Sequence, residues 1–166
     1  MKEGIIMAII HARIDERLIH GQVATVWTNS LGCNRIMVVN DEACNSETQK
    51  YVLKLACPVS VSLSVLTIEK AVTRIKEGRY DNDKVFVIFK NPKDCLKLIE
   101  NGIKLPSLNV GNMSAKEGTT NIKRSVNVSK EDVEAFRKIN SSGLKITAKM
   151  IPDEPETNFM NLIKDL

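Results

Sequence analysis

The residues best suited to chemistry lie in one run, Arg13-Ile14-Asp15-Glu16-Arg17-Leu18-Ile19-His20-Gly21-Gln22, which sets one of only two histidines after two arginines. Imidazole titrates near pH 6.5, at about neutrality, so His20 can be both a free nucleophile and a proton carrier without a metal or an activating base. Arg17 and Arg13 lie three and seven positions upstream. Their planar guanidinium groups are suited to meet phosphoryl oxygens in bidentate fashion. A helix opening at Gly21 or Gln22 would add unpaired backbone N–H groups to the same anion site, and glycine permits a tight turn there. Asp15 is suited to orient an arginine or the imidazole. The pattern points to phosphate chemistry on His20. Taken alone, it is also compatible with a solvated loop ending at a helix N-terminal histidine that does no chemistry.

The elements that must position this run are short β-branched stretches alternating with helical patterns. Ile5 to Ala12 reads as a first strand, followed by the motif loop and a helix from Gly21 to about Leu31 that Gly32 ends. Arg35 to Asn40 reads as a second strand, and Ser46 caps a helix through Ala56 that Pro58 stops. Val59 to Leu66 reads as a partly exposed strand and Thr67 to Glu77 as a capped helix. Lys84 to Phe89, with its unbroken Val-Phe-Val-Ile-Phe run, predicts a central strand, and Asn91-Pro92 opens the next helix. Ser107 to Val110 and Lys145 to Met150 read as strands, Asn112 to Lys123 as a loop, and Ser125 to Val128 as a further strand. Ser129 with Asp132 predicts a capped helix to Ile139, and Thr157 to Lys164 a short terminal one.

This order predicts an α/β chain, a three-layer α/β/α sandwich on a mainly parallel sheet of about six to seven strands. Ligands in such sheets bind outside the carboxyl ends of the strands. The motif loop, Asp41, Lys90 and the pair Gly111-Asn112 follow the first, second, fourth and fifth strands, so they converge on one edge. Asp41, Lys90, Gly111 and Asn112 therefore join Gly21 and Gln22 as candidate phosphate- or substrate-binding residues. Each has a plainer reading: a cap or turn for Asp41, a surface lysine for Lys90, a backbone turn at Gly111. His11 reads as a packed or edge residue of the first strand and Trp27 as part of a core-facing helical stripe.

The 166 residues fit one domain, and 43% hydrophobic with 27% charged residues is ordinary globular composition. A formal charge of +4 with one Trp, two Tyr and four Phe gives no basic, aromatic-studded platform for nucleic acid. Cys33, Cys44, Cys57 and Cys95 form no Cys-x-x-Cys pair, so neither a zinc site nor a cysteine relay is expected, and no metal or cofactor is called for. No stretch approaches the roughly twenty apolar residues of a membrane span. For residues 1–7 a variable or non-native leader is one expectation and a native start of the first strand the other, with Met7 as an alternative start.

The run Ala12 to Val23 with Trp27, followed by Val38-Val39-Asn40-Asp41-Glu42, Phe89-Lys90-Asn91-Pro92, Asn109-Val110-Gly111-Asn112-Met113 and Lys123-Arg124-Ser125-Val126, closely resembles the IIB subunits of the mannose, fructose, sorbose and N-acetylgalactosamine family of the sugar phosphotransferase system. The resemblance covers essentially the whole chain from Ile9 as a single IIB domain. It implies a phosphocarrier, a protein-N(pi)-phosphohistidine–sugar phosphotransferase: phospho-IIA donates to His20, and a sugar held by the membrane subunits IIC and IID receives the group. It further implies that Arg17 serves transfer onward to sugar, that Arg13 lines the site and that Asp15 supports it. Mannose-type members often carry a second glycine where this chain has Asn112, a difference that bears on sugar choice rather than on the relay. A cytoplasmic protein held at the membrane through IIC and IID is expected, and assembly into a homo-oligomer stays open. The alternative is a regulatory IIB-like protein that meets IIA without feeding a transporter.

Overall fold

The computed structural model describes residues 8–166, the side chains of Gln22 and Val23 excepted. The strand expected over Ile5–Ala12 has its first three residues outside the described ones. The part that is described, β1 (Ile9–Asp15), runs three residues further than its hydrophobic pattern suggested. Arg13 and Asp15 thus sit inside a strand rather than on a loop. The reason is pairing on both sides: Arg13 is in register with Ile88 on one neighbour and Asn109 on the other, and Asp15 with Asn112.

The chain continues through α1 (Gly21–Leu31), β2 (Arg35–Val39), α2 (Asp41–Cys44), α3 (Glu47–Ala56), β3 (Ser62–Leu66), α4 (Ile68–Lys76), β4 (Val85–Phe89), α5 (Pro92–Glu100) and β5 (Leu108–Asn112). It ends with β6 (Thr120–Lys123), β7 (Val126–Val128), α6 (Lys130–Ser141), β8 (Ile146–Ala148), β9 (Thr157–Asn158) and α7 (Phe159–Ile163). Seven strands form one sheet in the order β3-β2-β4-β1-β5-β8-β9, parallel except for β9. All of β4 is buried, as its unbroken apolar run predicts for a strand covered on both faces. Leu18, Ile19, Ala24 and Trp27 pack with Leu53 of α3 on one face of the sheet. Ile68, Ala71, Leu98, Phe136 and Phe159 form the larger cluster on the other, completing three layers.

The helix starts follow local chemistry. Ser46, Thr67 and Asn91 each accept a backbone N–H three residues on, and Ser129 with Asp132 forms a reciprocal capping box. Gly32 ends α1 in the left-handed conformation.

Three expectations need correction. Asn40 caps an unforeseen short α2, its side chain accepting from Ala43 N. The stretch expected as a loop up to Lys123 contains β6, which pairs as a separate antiparallel ribbon with β7, the strand expected over Ser125–Val128. Thr157 and Asn158 form β9 before α7 begins. Each of these elements is short, and its pairing or cap comes from distant residues that local periodicity cannot report.

Candidate functional site

The carboxyl end of β1 divides the motif into a buried half and an exposed half. Arg13 and Asp15 are both only 1% exposed. Burying a charge is costly unless it is paired and bonded, and this pair is. Asp15 Oδ2 accepts from Arg13 Nη2 at 3.2 Å, while Arg13 Nη1 donates to Asn109 Oδ1 at 2.5 Å and to the Lys149 carbonyl at 3.1 Å. The guanidinium carbon also lies 5.1 Å from the centre of the Trp27 ring. Arg13 therefore does not fold out toward His20 as a free phosphate ligand: most of its donors are spent inside the fold, and its Nε is buried without a partner among the described residues.

Asp15 carries this order outward. Its Oδ1 accepts from Arg17 N at 3.0 Å and Arg17 Nε at 3.2 Å, and Oδ2 from Arg17 Nη2 at 3.4 Å. Arg17 keeps 37% of its side chain in solvent, so its guanidinium is aimed yet accessible. The intervening loop is tight: Leu18 N donates to the Asp15 carbonyl at 2.9 Å, and Leu18 is held at φ 59°, a left-handed conformation rare for a side chain of this kind.

His20 is extended at the N-cap of α1, makes no capping bond with its side chain, and hands over to Gly21 at φ 46°. A Cβ at Gly21 would meet nothing within 4 Å, so the positive φ, not crowding, is what calls for glycine. Helix α1 thus opens where the motif predicts, with no acidic side chain in its first turn. Gln22 lies in that turn, and its side chain falls outside the described residues. Burial, then Arg17, hold the His20 pKa below its ordinary value against the pull of Asp15, with Arg13 adding to the depression. The ring is therefore neutral at neutral pH. Its Nε2 is buried with no partner among the described residues.

Gly111 and Asn112 lie within β5 rather than after it. At Gly111 a Cβ would fall on the Arg13 guanidinium, so glycine here makes room for the buried cation. Asn112 accepts the Glu16 backbone N–H at 3.0 Å through its carbonyl, and its side-chain Oδ1 is buried without a partner among the described residues. Asp41 opens α2 just after β2 and Lys90 follows β4, but both serve other contacts. Asp41 Oδ1 accepts from Ile68 N at 2.8 Å, at the start of α4, and Lys90 Nζ lies 3.5 Å from Glu42 Oε1.

Four further residues support the site through contacts that the sequence did not show. Glu16 ties the motif loop to the segment after β5, accepting from Ser114 N at 3.0 Å and pairing with Lys116 Nζ at 2.5 Å. Trp27, buried as its helical stripe predicts, also donates from Nε1 to the Met150 carbonyl at 2.8 Å. His11 stacks on Trp27 with ring centres 4.9 Å apart, and burial with Arg13 and Lys149 nearby lowers its pKa to about 4. Ser125 donates to the Gly111 carbonyl at 2.9 Å from a left-handed φ of 69°. The signals that could have found them are polar Asn109 inside an apolar strand and an indole N–H that needs a partner when buried.

Among the described residues no group of His, Cys, Asp and Glu is arranged to hold a metal ion, and all four cysteines are free thiols. No helix among them is long and apolar enough to cross a membrane.

Residues 9–166 match the model of the family described as PTS system sorbose subfamily IIB component. The sorbose-specific EIIB component of Lacticaseibacillus casei is 35% identical over 160 residues, covering 96% of this chain and 98% of that protein. The mannose-specific EIIAB component of Escherichia coli K12 is 37% identical over 160 residues, covering 96% of this chain and 50% of that protein, so the chain spans about half of that relative. A crystal structure of the IIBSor domain of the sorbose permease from Klebsiella pneumoniae superposes with a TM-score of 0.91 at 34% identity, covering 95% of this chain and 96% of that one. A buried ion pair that aims an accessible arginine beside a neutral histidine, in a chain matched end to end from Ile9, is thus the candidate site of a sugar phosphotransferase-system IIB component of the sorbose subfamily, the family to which the chain belongs.

Proposed function

We propose that His20 is the phosphoryl acceptor and donor of this IIB component. Phospho-IIA brings a phosphohistidine to the rim; the neutral His20 imidazole attacks phosphorus in line, the new N–P bond forms, and the donor's N–P bond breaks with its electron pair returning to the donor imidazole. The transition state is loose, so positioning and charge do most of the work. In the second step a hydroxyl of a hexose-type sugar of the mannose, fructose, sorbose or N-acetylgalactosamine class, held by IIC and IID, attacks the same phosphorus and gives its proton to solvent; the O–P bond forms, the His20 N–P bond breaks with its electron pair returning to the ring nitrogen, and His20 leaves as the neutral imidazole.

The observation that carries this reading is the Asp15 bridge, which fixes the accessible Arg17 guanidinium beside a histidine whose pKa is depressed. We assign Nδ1 as the reacting nitrogen because Nε2 is buried. Phosphorylation would add about −1.5 to −2 charges. Arg17 and the backbone N–H groups of Gly21 and Gln22 at the start of α1 would offset them. In this reading Arg13 and Gly111 act through Asp15 rather than on the phosphate, Asn112 anchors the motif loop by accepting Glu16 N through its carbonyl, Asp41 holds the start of α4, and Lys90 adds positive charge at the rim. The protein would work in the cytoplasm, at the membrane face through IIC and IID.

Labelling by phospho-IIA tests the assignment. His20→Ala is expected to lose the label entirely, and the wild-type label is expected to be acid-labile and alkali-stable. Label that persists in His20→Ala would show that another residue is the acceptor. Label that stays on His20, or returns only to IIA when IIC, IID and a sugar panel are supplied, would favour the regulatory alternative.

A further inference from the structure

Among the described residues the sheet leaves one long side bare. Ser62 N donates to the Asn34 carbonyl and Asn40 N donates to the Leu66 carbonyl, so the even-numbered residues of β3 face β2. The backbone groups of Leu63 and Val65 then point away from the sheet, and β3 is its outermost strand. An unpaired edge of this kind is a ready template for another strand unless it is blunted or covered. Here no proline, lysine or bulge interrupts Ser62–Leu66.

Beside that edge lies α3, a ten-residue helix of which Leu53 is the buried residue. Tyr51 is 63% exposed and Leu55 68%, Val52 is exposed with them, and Val59 on the following turn stands fully in solvent. Tyr51, Leu55 and Val59, with Leu63 and Val65, line a groove of about 800 Å³ between α3 and β3. Four of the large apolar side chains exposed among the described residues fall within nine positions of sequence, a concentration that marks an interaction surface rather than scattered exposure.

We propose that this groove and edge form a two-fold interface with a second copy of this chain. The charges on α3 select that occupant. Glu47, Lys50, Tyr51 and Lys54 lie at helical spacing along one stripe, acid at the start and lysine at the end. Two such helices packed antiparallel set Glu47 of each against Lys54 of the other and Lys50 against the Tyr51 ring. Glu47 is free to make that exchange, since its own pair with Lys50 is a loose 3.5 Å contact at 92% exposure. The strands obey the same axis: Leu63 pairs with Val65 of the second copy, each offering an outward N–H and C=O, and their side chains meet in the groove. A standard interface takes about 800 Å² per partner, roughly a tenth of a surface of 9105 Å². The His20 loop follows β1, three strands in from this edge, so the interface leaves the phosphoryl site open.

Sedimentation velocity on the full chain across a dilution series tests this. The wild type is expected to run as two chains, falling to one on dilution. Leu55→Asp and Lys54→Glu are each expected to halve the mass at concentrations where the wild type is paired, with an unchanged far-ultraviolet spectrum. The double variant Glu47→Lys/Lys54→Glu, which restores the cross-axis pair with its signs reversed, is expected to recover the dimer. A wild type that stays monomeric throughout, a stoichiometry other than two, or a dimer indifferent to Lys54→Glu would overturn the proposal. So would a chain that gains mass through this face only when IIA or a membrane subunit is added, which would mark the groove as a site for a different protein.

Discussion

Arg13 and Arg17 stand four positions apart in one motif, yet the fold gives them opposite lives. Arg13 lies inside a central strand, sealed beneath Trp27 and committed to Asp15, Asn109 and the Lys149 carbonyl. Arg17 sits on the loop beyond, sharing the same carboxylate but keeping a third of its side chain in water. The buried half supplies rigidity and the exposed half supplies reach. A free surface pair between Arg17 and a carboxylate would be worth little, because solvent and side-chain entropy dilute it. A carboxylate already immobilised by a buried guanidinium holds the second arginine in place, which is what the proposed phosphoryl site needs.

The sharpest way to break this contrast is to remove the buried cation. Arg13→Ala leaves Asp15 buried with only its outer partner and is expected to cost about 3–5 kcal/mol of unfolding free energy, read by urea denaturation. A loss under about 1 kcal/mol would mean that Arg13 is no more structural than a surface residue.

Acid should act next, and on the same inner half. His11, stacked against Trp27, is held at a pKa of about 4 against 6.5 in the unfolded chain. The unfolded state therefore binds the extra proton first, so this contribution is intact above pH 6.5 and is lost as the pH falls toward about 4. The expected loss across that window is about 3 kcal/mol. His11→Phe keeps an aromatic ring there and should flatten the profile, leaving the smaller slope that His20 contributes in the same direction. Equal slopes in the two proteins would show that His11 does not carry the effect.

Gly111→Ala tests the close approach of the cation to β5. Its Cβ must displace the Arg13 guanidinium, an overpacking expected to cost about 1–3 kcal/mol, seen as a lower thermal midpoint together with weaker phosphoryl transfer. A variant as stable as the wild type would mean that the guanidinium has room to move.

Arg17→Ala should show the smallest change in stability, within about 1 kcal/mol, while phosphoryl delivery to sugar falls at least tenfold and labelling of His20 persists. Asp41→Ala provides the control. It loses the bond to Ile68 N and about 1 kcal/mol with it, and should leave transfer intact. Equal transfer by Arg17→Ala and the wild type would remove the distinction between the two halves.

Much of the frame was legible because its signals are local. The caps Ser46, Thr67, Asn91 and Ser129, the glycine stop after α1 and the apolar run of β4 each report their own neighbourhood. The site was legible as a set of residue types, and the fold brings Arg13, Asp15, Arg17 and His20 to one strand end. It was not legible as a division of labour. A strand containing Arg and Asp reads as a loop until Asn109 and the Lys149 carbonyl arrive from far along the chain. Asp41 looks as suited to phosphate as any residue at a strand end, and only the position of α4 directs its carboxylate to Ile68 N.

Residue order alone determined that this chain alternates strand and helix, and that a histidine flanked by arginines follows the first strand, because periodicity, capping and turn preferences act over a few residues. Tertiary structure decided which arginine is buried, why position 111 must be glycine, and which nitrogen of His20 is sealed. Those outcomes depend on burial and on hydrogen-bond partners contributed by β5 and by the segment after β8, and no short stretch of sequence contains both partners of such a contact.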